Sequence, residues 1–224
     1  MPTALNKISF QNCRLYTIVD RSALRNRDPI GVAEVALRGG ADVVQWRDKT
    51  ACDRDFLSVA RRLRELTLDF KVPFVVNDRV AVALLAKADA LHLGQEDLPL
   101  KEVRALVGDS MLIGRSTHSL AQAQAAQASG ADYLGVGPIF STPTKPTYPA
   151  VGVTLIEEVS PRIRIPWFAI GGIDLTNISL VLSAGATRVA VVRAVTGAEN
   201  VEEAARAFKS LLRPERGHPR YFRR

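Results

Sequence analysis

Three stretches decide how this chain is organised: RGGADVV at 38–44, ASGADYL at 128–134 and SAGATRV at 183–189. Each reads as the end of a helix, then glycine, then small residues opening into a β-branched or aromatic run. Glycine adopts the left-handed conformation that closes a helix without a Cβ penalty, and the residues behind it lead into a strand. The same hand-over from helix to strand occurs three times, so the chain reads as a repeated strand–helix unit.

Working outward, short apolar runs recur at Leu15–Val19, Asp42–Gln45, Pro73–Val76, Ala90–Leu93, Leu112–Gly114, Tyr133–Val136, Trp167–Ile170 and Val189–Val192. Near-continuous apolar runs suit parallel strands covered on both faces. Helical spacing fills the gaps, as in Asp53–Leu68, Leu120–Ser129 and Asn200–Leu212. Asp53 is expected to cap the first of these, with Asp55 in its opening turn. Eight alternations without a linker predict a single α/β domain, a (β/α)8 TIM barrel over 1–212. An open doubly wound sheet is the alternative, but IVDRSALR at 18–25 stands where its glycine-rich turn belongs.

Composition narrows the class. At 224 residues, 47% of them hydrophobic and 24% charged, the chain can bury a full core and is not intrinsically disordered. Thirty Lys and Arg against 23 Asp and Glu leave a net charge of +7. Five of the arginines lie in RPERGHPRYFRR at 213–224, which reads as a disordered basic tail. No nucleic-acid-binding module is recognisable, so the charge points to anionic small molecules instead. Cys13 and Cys52 lack metal or redox spacing. With no apolar run of membrane length and no signal pattern, the expectation is a cytoplasmic protein with no membrane partner; a homo-oligomer stays open.

In a barrel of this kind the reacting groups collect where the strands end. Polar residues follow almost every apolar run. Gln45, Arg47 and Lys49 alternate toward one face after the second, and two cations there suit a diphosphate. Asn77 and Asp78 follow the third run, and Asp97 follows the fourth. Two aspartates with no soft neighbours suit Mg²⁺, which takes one or two carboxylates plus water and phosphate oxygens. Ser116 and His118 follow the fifth; the serine suits contact with a substrate heteroatom, and the histidine reads as an acid–base group or as a structural anchor. Thr142, Thr144 and Lys145 lie in a proline-rich segment after the sixth that reads as a lid. Gly171 and Gly172 after the seventh, with Val192 and Arg193 at the eighth, form the usual barrel phosphate site.

Taken together, QWRDK at 45–49, VNDRVAVAL at 76–84, LHLGQEDLP at 91–99, GRSTHS at 114–119, DYLGVGPIFSTPTK at 132–145 and AIGGI at 169–173 resemble the thiamine phosphate synthases. The match spans roughly residues 15–210. The resemblance implies a Mg²⁺-dependent transferase that joins a hydroxymethylpyrimidine diphosphate to a thiazole phosphate, or its carboxylate, and releases pyrophosphate. It implies that Gln45, Arg47, Lys49, Asn77 and Lys145 hold the pyrimidine diphosphate. Asp78 and Asp97 would ligate Mg²⁺, and Ser116 would meet the aminopyrimidine. Thr142 and Thr144, with Gly171, Gly172 and the Val192–Arg193 backbone, would grip the thiazole phosphate. Arg47, Lys49, Lys145 and Ser116 would carry the catalysis. Arg193 departs from the serine common in the family, and Trp46 from the commoner aliphatic residue.

Two other functions fit parts of the pattern. A thiazole tautomerase would use His118 but needs neither metal ligands nor Arg47 and Lys49. A non-catalytic basic barrel binding RNA or a protein partner is supported only by the arginine-rich tail.

Overall fold

The computed structural model describes residues 11–142 and 149–212. The apolar runs form eight parallel strands: β1 (Leu15–Asp20), β2 (Val43–Arg47), β3 (Phe74–Asn77), β4 (Ala90–Leu93), β5 (Leu112–Thr117), β6 (Tyr133–Val136), β7 (Trp167–Ile170) and β8 (Val189–Val191). They pair in chain order, and β8 closes onto β1 with Leu15 opposite Val189 and Thr17 opposite Val191. The barrel is closed. One helix follows each of the first seven strands: α1 (Pro29–Arg38), α2 (Asp53–Asp69), α3 (Val80–Leu85), α4 (Leu100–Val107), α5 (Leu120–Ala128), α6 (Thr154–Val159) and α7 (Ile178–Ser183). Two more, α8 (Arg193–Thr196) and α9 (Val201–Leu211), follow β8. No helix among the described residues is long and apolar enough to cross a membrane.

Strand alternation divides the core into two shells. The inner one takes a residue from every strand, from Tyr16 on β1 to Ala190 on β8, and fills the barrel. The rings of Tyr16 and Phe168 meet edge-on at 5.1 Å between centroids. Gly114 gives this layer its room, since a Cβ there would lie 2.1 Å from Tyr133 Cζ. The outer shell joins strands to helices. Phe56, Ala60, Leu63 and Thr67 form the buried stripe of α2 at helical spacing. Trp46 faces them, 5.5 Å from the Phe56 ring and away from the barrel interior.

The glycine hand-overs hold. Gly40, Gly130 and Gly185 all have positive φ. Gly39 has another reason to be glycine: a Cβ there would lie 2.4 Å from the Glu202 carbonyl of α9.

Some expected boundaries move. Asp53 does not cap α2; Cys52 occupies the cap position without a side-chain bond, and Asp53 instead pairs with Arg79 at 2.7 Å. β5 runs three residues beyond Gly114, because Ser116 and Thr117 keep register with Gly135 and Val136 of β6. Arg115 and Ser116 therefore lie on the strand itself. Arg47 likewise belongs to β2. α7 starts at Ile178, because Asp174 holds a turn ahead of it by accepting from the Thr176 and Asn177 backbone. The tail at 213–224 lies outside the described residues.

At the base of the barrel one device recurs. Asp42, Asp89 and Asp132 each stand just before an even-numbered strand. The Asp42 amide donates to the Leu15 carbonyl at 2.9 Å, and its carboxylate accepts the Leu15 N–H at 2.9 Å. Asp89 does the same with Phe74, and Asp132 with Ile113. A cation from the surrounding helices completes each latch: Lys209, Arg64 and Arg104 respectively. Backbone N–H groups at the start of alternate strands (Leu15, Phe74 and Ile113) thus get carboxylate acceptors that the sheet does not supply.

Candidate active site

The strands open at their carboxyl ends into a cavity of about 450 Å³. Gln45, Arg47, Asn77 and Ser116 line one part of it; Thr142, Gly171, Gly172, Val192 and Arg193 line another. Residues expected to act together from six separate strand ends thus share one cavity. Lys49, Asp78 and Asp97 do not line it; they cluster just outside, at its rim, where Asp78 follows Asn77 in the chain. Thr144 and Lys145 lie outside the described residues.

Each polar group on the β2 side is pinned. The Arg47 guanidinium is paired with Asp20, which is almost fully buried and which also accepts from Ser22 at 2.9 and 2.7 Å. One guanidinium face is thereby anchored, and an Arg fork has further N–H donors to offer. Asp48 turns away from the cavity. Its carboxylate accepts from Thr50 and Ala51, and these bonds outweigh burial to hold its pKa below the ordinary carboxylate value.

At the rim, Lys49 reaches Asp78, and the Asp78 carboxyl also meets that of Asp97. Burial pushes the Asp78 pKa up, and the adjacent Asp97 pushes the same way, outweighing Lys49. Asp97 is held by the Gly94 N–H at 2.6 Å. Asp78 has a φ of 62°, a left-handed conformation that Asp and Asn accept more readily than bulkier residues. The pair is all hard oxygen, and no larger cluster of His, Cys, Asp or Glu able to hold a metal occurs among the described residues. Two crowded carboxylates, one made harder to ionise by the other, fit a hard divalent cation.

The opposite wall is backbone. Gly172 has a φ of 63°, and a Cβ there would lie 2.6 Å from the Ser141 carbonyl; one at Gly171 would lie 2.4 Å from Pro138. Both glycines are therefore required by packing against the segment after β6. Phe140 N–H donates to the Gly171 carbonyl at 3.0 Å, fixing that approach. Arg193 is exposed at the start of α8, and its side chain has no hydrogen-bond or ion-pair partner among the described residues. His118 lines the cavity but is tied down: its ring Nδ1 meets the Gly137 carbonyl, and its backbone N–H donates to Gln122 at 2.7 Å.

Sequence reasoning passed over His92, Tyr16, Tyr133 and Asp20. His92 was visible as the one polar residue in the run ALHL, at an inward position of β4. The tyrosines read simply as core. Their phenols instead form a polar layer under the cavity: Tyr16 donates to Gln45 at 2.7 Å, and the two hydroxyls are 3.1 Å apart.

A closed parallel barrel whose mouth gathers cations, paired carboxylates and close backbone defines an enzyme that handles anionic small molecules. Comparison with known proteins gives the particular kind. A family model described as thiamine monophosphate synthase matches residues 15–195, and the chain belongs to that family of transferases. The thiamine-phosphate synthase of Shouchella clausii is 44% identical over 200 residues, covering 89% of this chain and 96% of that one. That of Gloeobacter violaceus is 52% identical over 171 residues, covering 76% of this chain but 50% of its own length. A solved structure of thiamine phosphate pyrophosphorylase from Pyrococcus furiosus superposes with a TM-score of 0.82 at 35% identity, covering 90% of this chain and 96% of that one.

Proposed function

We propose that this chain condenses 4-amino-2-methyl-5-(diphosphooxymethyl)pyrimidine with 4-methyl-5-(2-phosphoethyl)thiazole, or with its carboxylate and loss of CO2, to give thiamine phosphate and pyrophosphate. The observation that carries this reading is the juxtaposition of the Lys49–Asp78–Asp97 cluster with the cavity wall of Gln45, Arg47 and Asn77. A leaving diphosphate needs cations and a metal side by side, and this edge of the mouth has Lys49 and Arg47 next to two carboxylates that would hold one.

Asp78 and Asp97 would hold Mg²⁺, which when bound stabilises negative charge on the departing diphosphate. Lys49, now paired with Asp78, would turn to the diphosphate once the metal takes over its partner. Arg47, anchored by Asp20, presents its remaining donors without having to reorganise, the condition under which electrostatic stabilisation is strongest. Lys145 is assigned to the same diphosphate. Ser116 meets the amino edge of the pyrimidine. Across the cavity, Thr142 and Thr144 with the backbone of Gly171, Gly172, Val192 and Arg193 would hold the thiazole phosphate, and the Arg193 side chain is free to add its charge. That placement brings the thiazole nitrogen in line with the pyrimidine methylene, the positioning on which such a displacement depends. No protein nucleophile takes part. Small-molecule substrates in the cytoplasm complete the reading, supported by two free cysteines, one of them exposed.

Mixing both substrates with the protein and measuring pyrophosphate with and without Mg²⁺ tests it. Metal-dependent release is expected. Isomerisation of the thiazole carboxylate alone, without pyrophosphate, would assign the barrel to tautomerase chemistry through His118 instead.

A further inference from the structure

Five hydrogen bonds run in series along the floor of the cavity, from Asn77 through Gln45, Tyr16, Tyr133 and His92 to Ser116. The direction of each follows from its neighbour. Gln45 has one amino group and one carbonyl oxygen; Nε2 donates to Asn77 Oδ1 at 3.3 Å and Oε1 accepts from Tyr16 at 2.7 Å. A phenol carries a single proton. That of Tyr16 is committed to Gln45, so the proton in the 3.1 Å contact between the tyrosines belongs to Tyr133. The Tyr133 oxygen can then only accept from His92 Nδ1, 3.2 Å away. Burial keeps both phenols protonated by pushing their pKa values above the ordinary range. His92 thus has its proton on Nδ1. In the neutral ring, Nε2 offers a lone pair to Ser116 Oγ at 3.0 Å.

We infer that His92 is a positioning residue: held as the Nδ1–H tautomer by Tyr133, Tyr16 and Gln45, it draws the Ser116 proton inward and leaves the serine oxygen as an acceptor facing the cavity. The structure sets this direction from below: Tyr16 and Tyr133 are buried under the cavity, while Gln45, His92 and Ser116 line it. Ser116 is then matched to a substrate N–H and mismatched to a carbonyl at the same place. Identifying that N–H with the exocyclic amino group of the pyrimidine rests on the reaction proposed above; the direction of the relay does not. As the ring becomes cationic its amino group becomes a stronger donor, so the bond to Ser116 tightens in the transition state and bears on kcat more than on KM. The relay also makes Gln45, on the diphosphate side, and Ser116, on the ring side, parts of one hydrogen-bonded unit.

Nitrogen-15 NMR of the full chain with labelled histidine reads the tautomer directly, with His92→Gln identifying the signal. A protonated Nδ1 and a bare Nε2 are expected near neutral pH, and Tyr133→Phe, which removes the Nδ1 acceptor, should abolish that preference. In steady-state assays, His92→Asn keeps a donor toward Tyr133 but drops the partner of Ser116. It should lower kcat about tenfold, the scale of one hydrogen bond strengthened in the transition state, with the thiazole KM unchanged. His92→Gln, whose amide oxygen can reach the Nε2 position, should recover most of that loss. A proton on Nε2 of His92 in the wild-type protein would overturn the inference. So would equal losses in His92→Asn and His92→Gln accompanied by equal falls in Tm, which mark a merely structural role. Failure of the wild-type protein to form pyrophosphate would sink the proposed reaction while the NMR result still decided the relay.

Discussion

At the base of the barrel Asp42, Asp89 and Asp132 each accept a strand N–H and pair with a helix cation, so every carboxylate oxygen pair has an answering donor. At the mouth Asp78 and Asp97 face one another, with the exposed Lys49 paired to Asp78 and Arg115 acting on Asp97 only through its charge. The residue types are the same and the arrangements opposite. Carboxylates at the base complete the backbone's hydrogen bonding and stabilise the fold. Those at the mouth are crowded against each other, an arrangement that costs stability and that the proposed cation would relieve.

Substitution at each end can break this contrast. The largest effect is expected from Asp97→Ala, which should lower Mg²⁺-dependent pyrophosphate release by about a hundredfold or more while leaving Tm nearly unchanged. Full activity in that variant would remove the metal site from the mouth. Next comes Asp132→Ala, which leaves the Ile113 N–H without its acceptor and Arg104 without its ion pair, holding only the Gly108 and Met111 carbonyls. It should cost about 2–4 kcal/mol, roughly 5–15 °C in Tm, with turnover per folded molecule retained. A calorimetric Tm equal to wild type would show that the latch does not stabilise the base.

The smallest effect has the more telling sign. The folded pKa of Asp78 is raised, so ionising it is harder in the folded chain than in the unfolded one. The penalty is absent below the unfolded carboxylate pKa, sets in as pH rises through it, and is complete above the folded pKa. Asp78→Asn removes the charge and keeps a residue tolerant of the φ of 62°. Metal-free at neutral pH, this variant should melt about 1–3 °C above wild type, and the gain should vanish in acid. A lower Tm at neutral pH would mean that Lys49 more than offsets the repulsion from Asp97.

The two ends were not equally legible. The strands could be placed because a barrel buries both faces of each one, so the apolar runs are nearly unbroken. β5 was cut short because Gly114 and the polar Arg115–Ser116–Thr117 look like a strand's end, whereas the glycine answers the Tyr133 ring across the interior. Gln45, Arg47, Asn77, Ser116 and the paired glycines could be singled out because each breaks an apolar pattern at a strand end. Tyr16 and Tyr133 could not, since a tyrosine in an apolar run looks the same whether its hydroxyl is solvated or joined to a buried relay. The base latches escaped notice for a related reason: the Ala-Asp pairs at 41–42, 88–89 and 131–132 repeat openly, but only the fold shows that each aspartate turns back to the preceding strand.

Those latches make the ring modular. β1–β2, β3–β4 and β5–β6 are each fastened at the base by an aspartate of their own, whereas before β8 the corresponding place holds Arg188, which donates to the Gln11 carbonyl. Three quarters of the circle can therefore be treated as self-fastened cassettes, with the remaining quarter as the seam. Circular permutants opened between these strand pairs leave each aspartate on one covalent segment with the strand it fastens, while those opened inside a pair have to form that contact between separated segments.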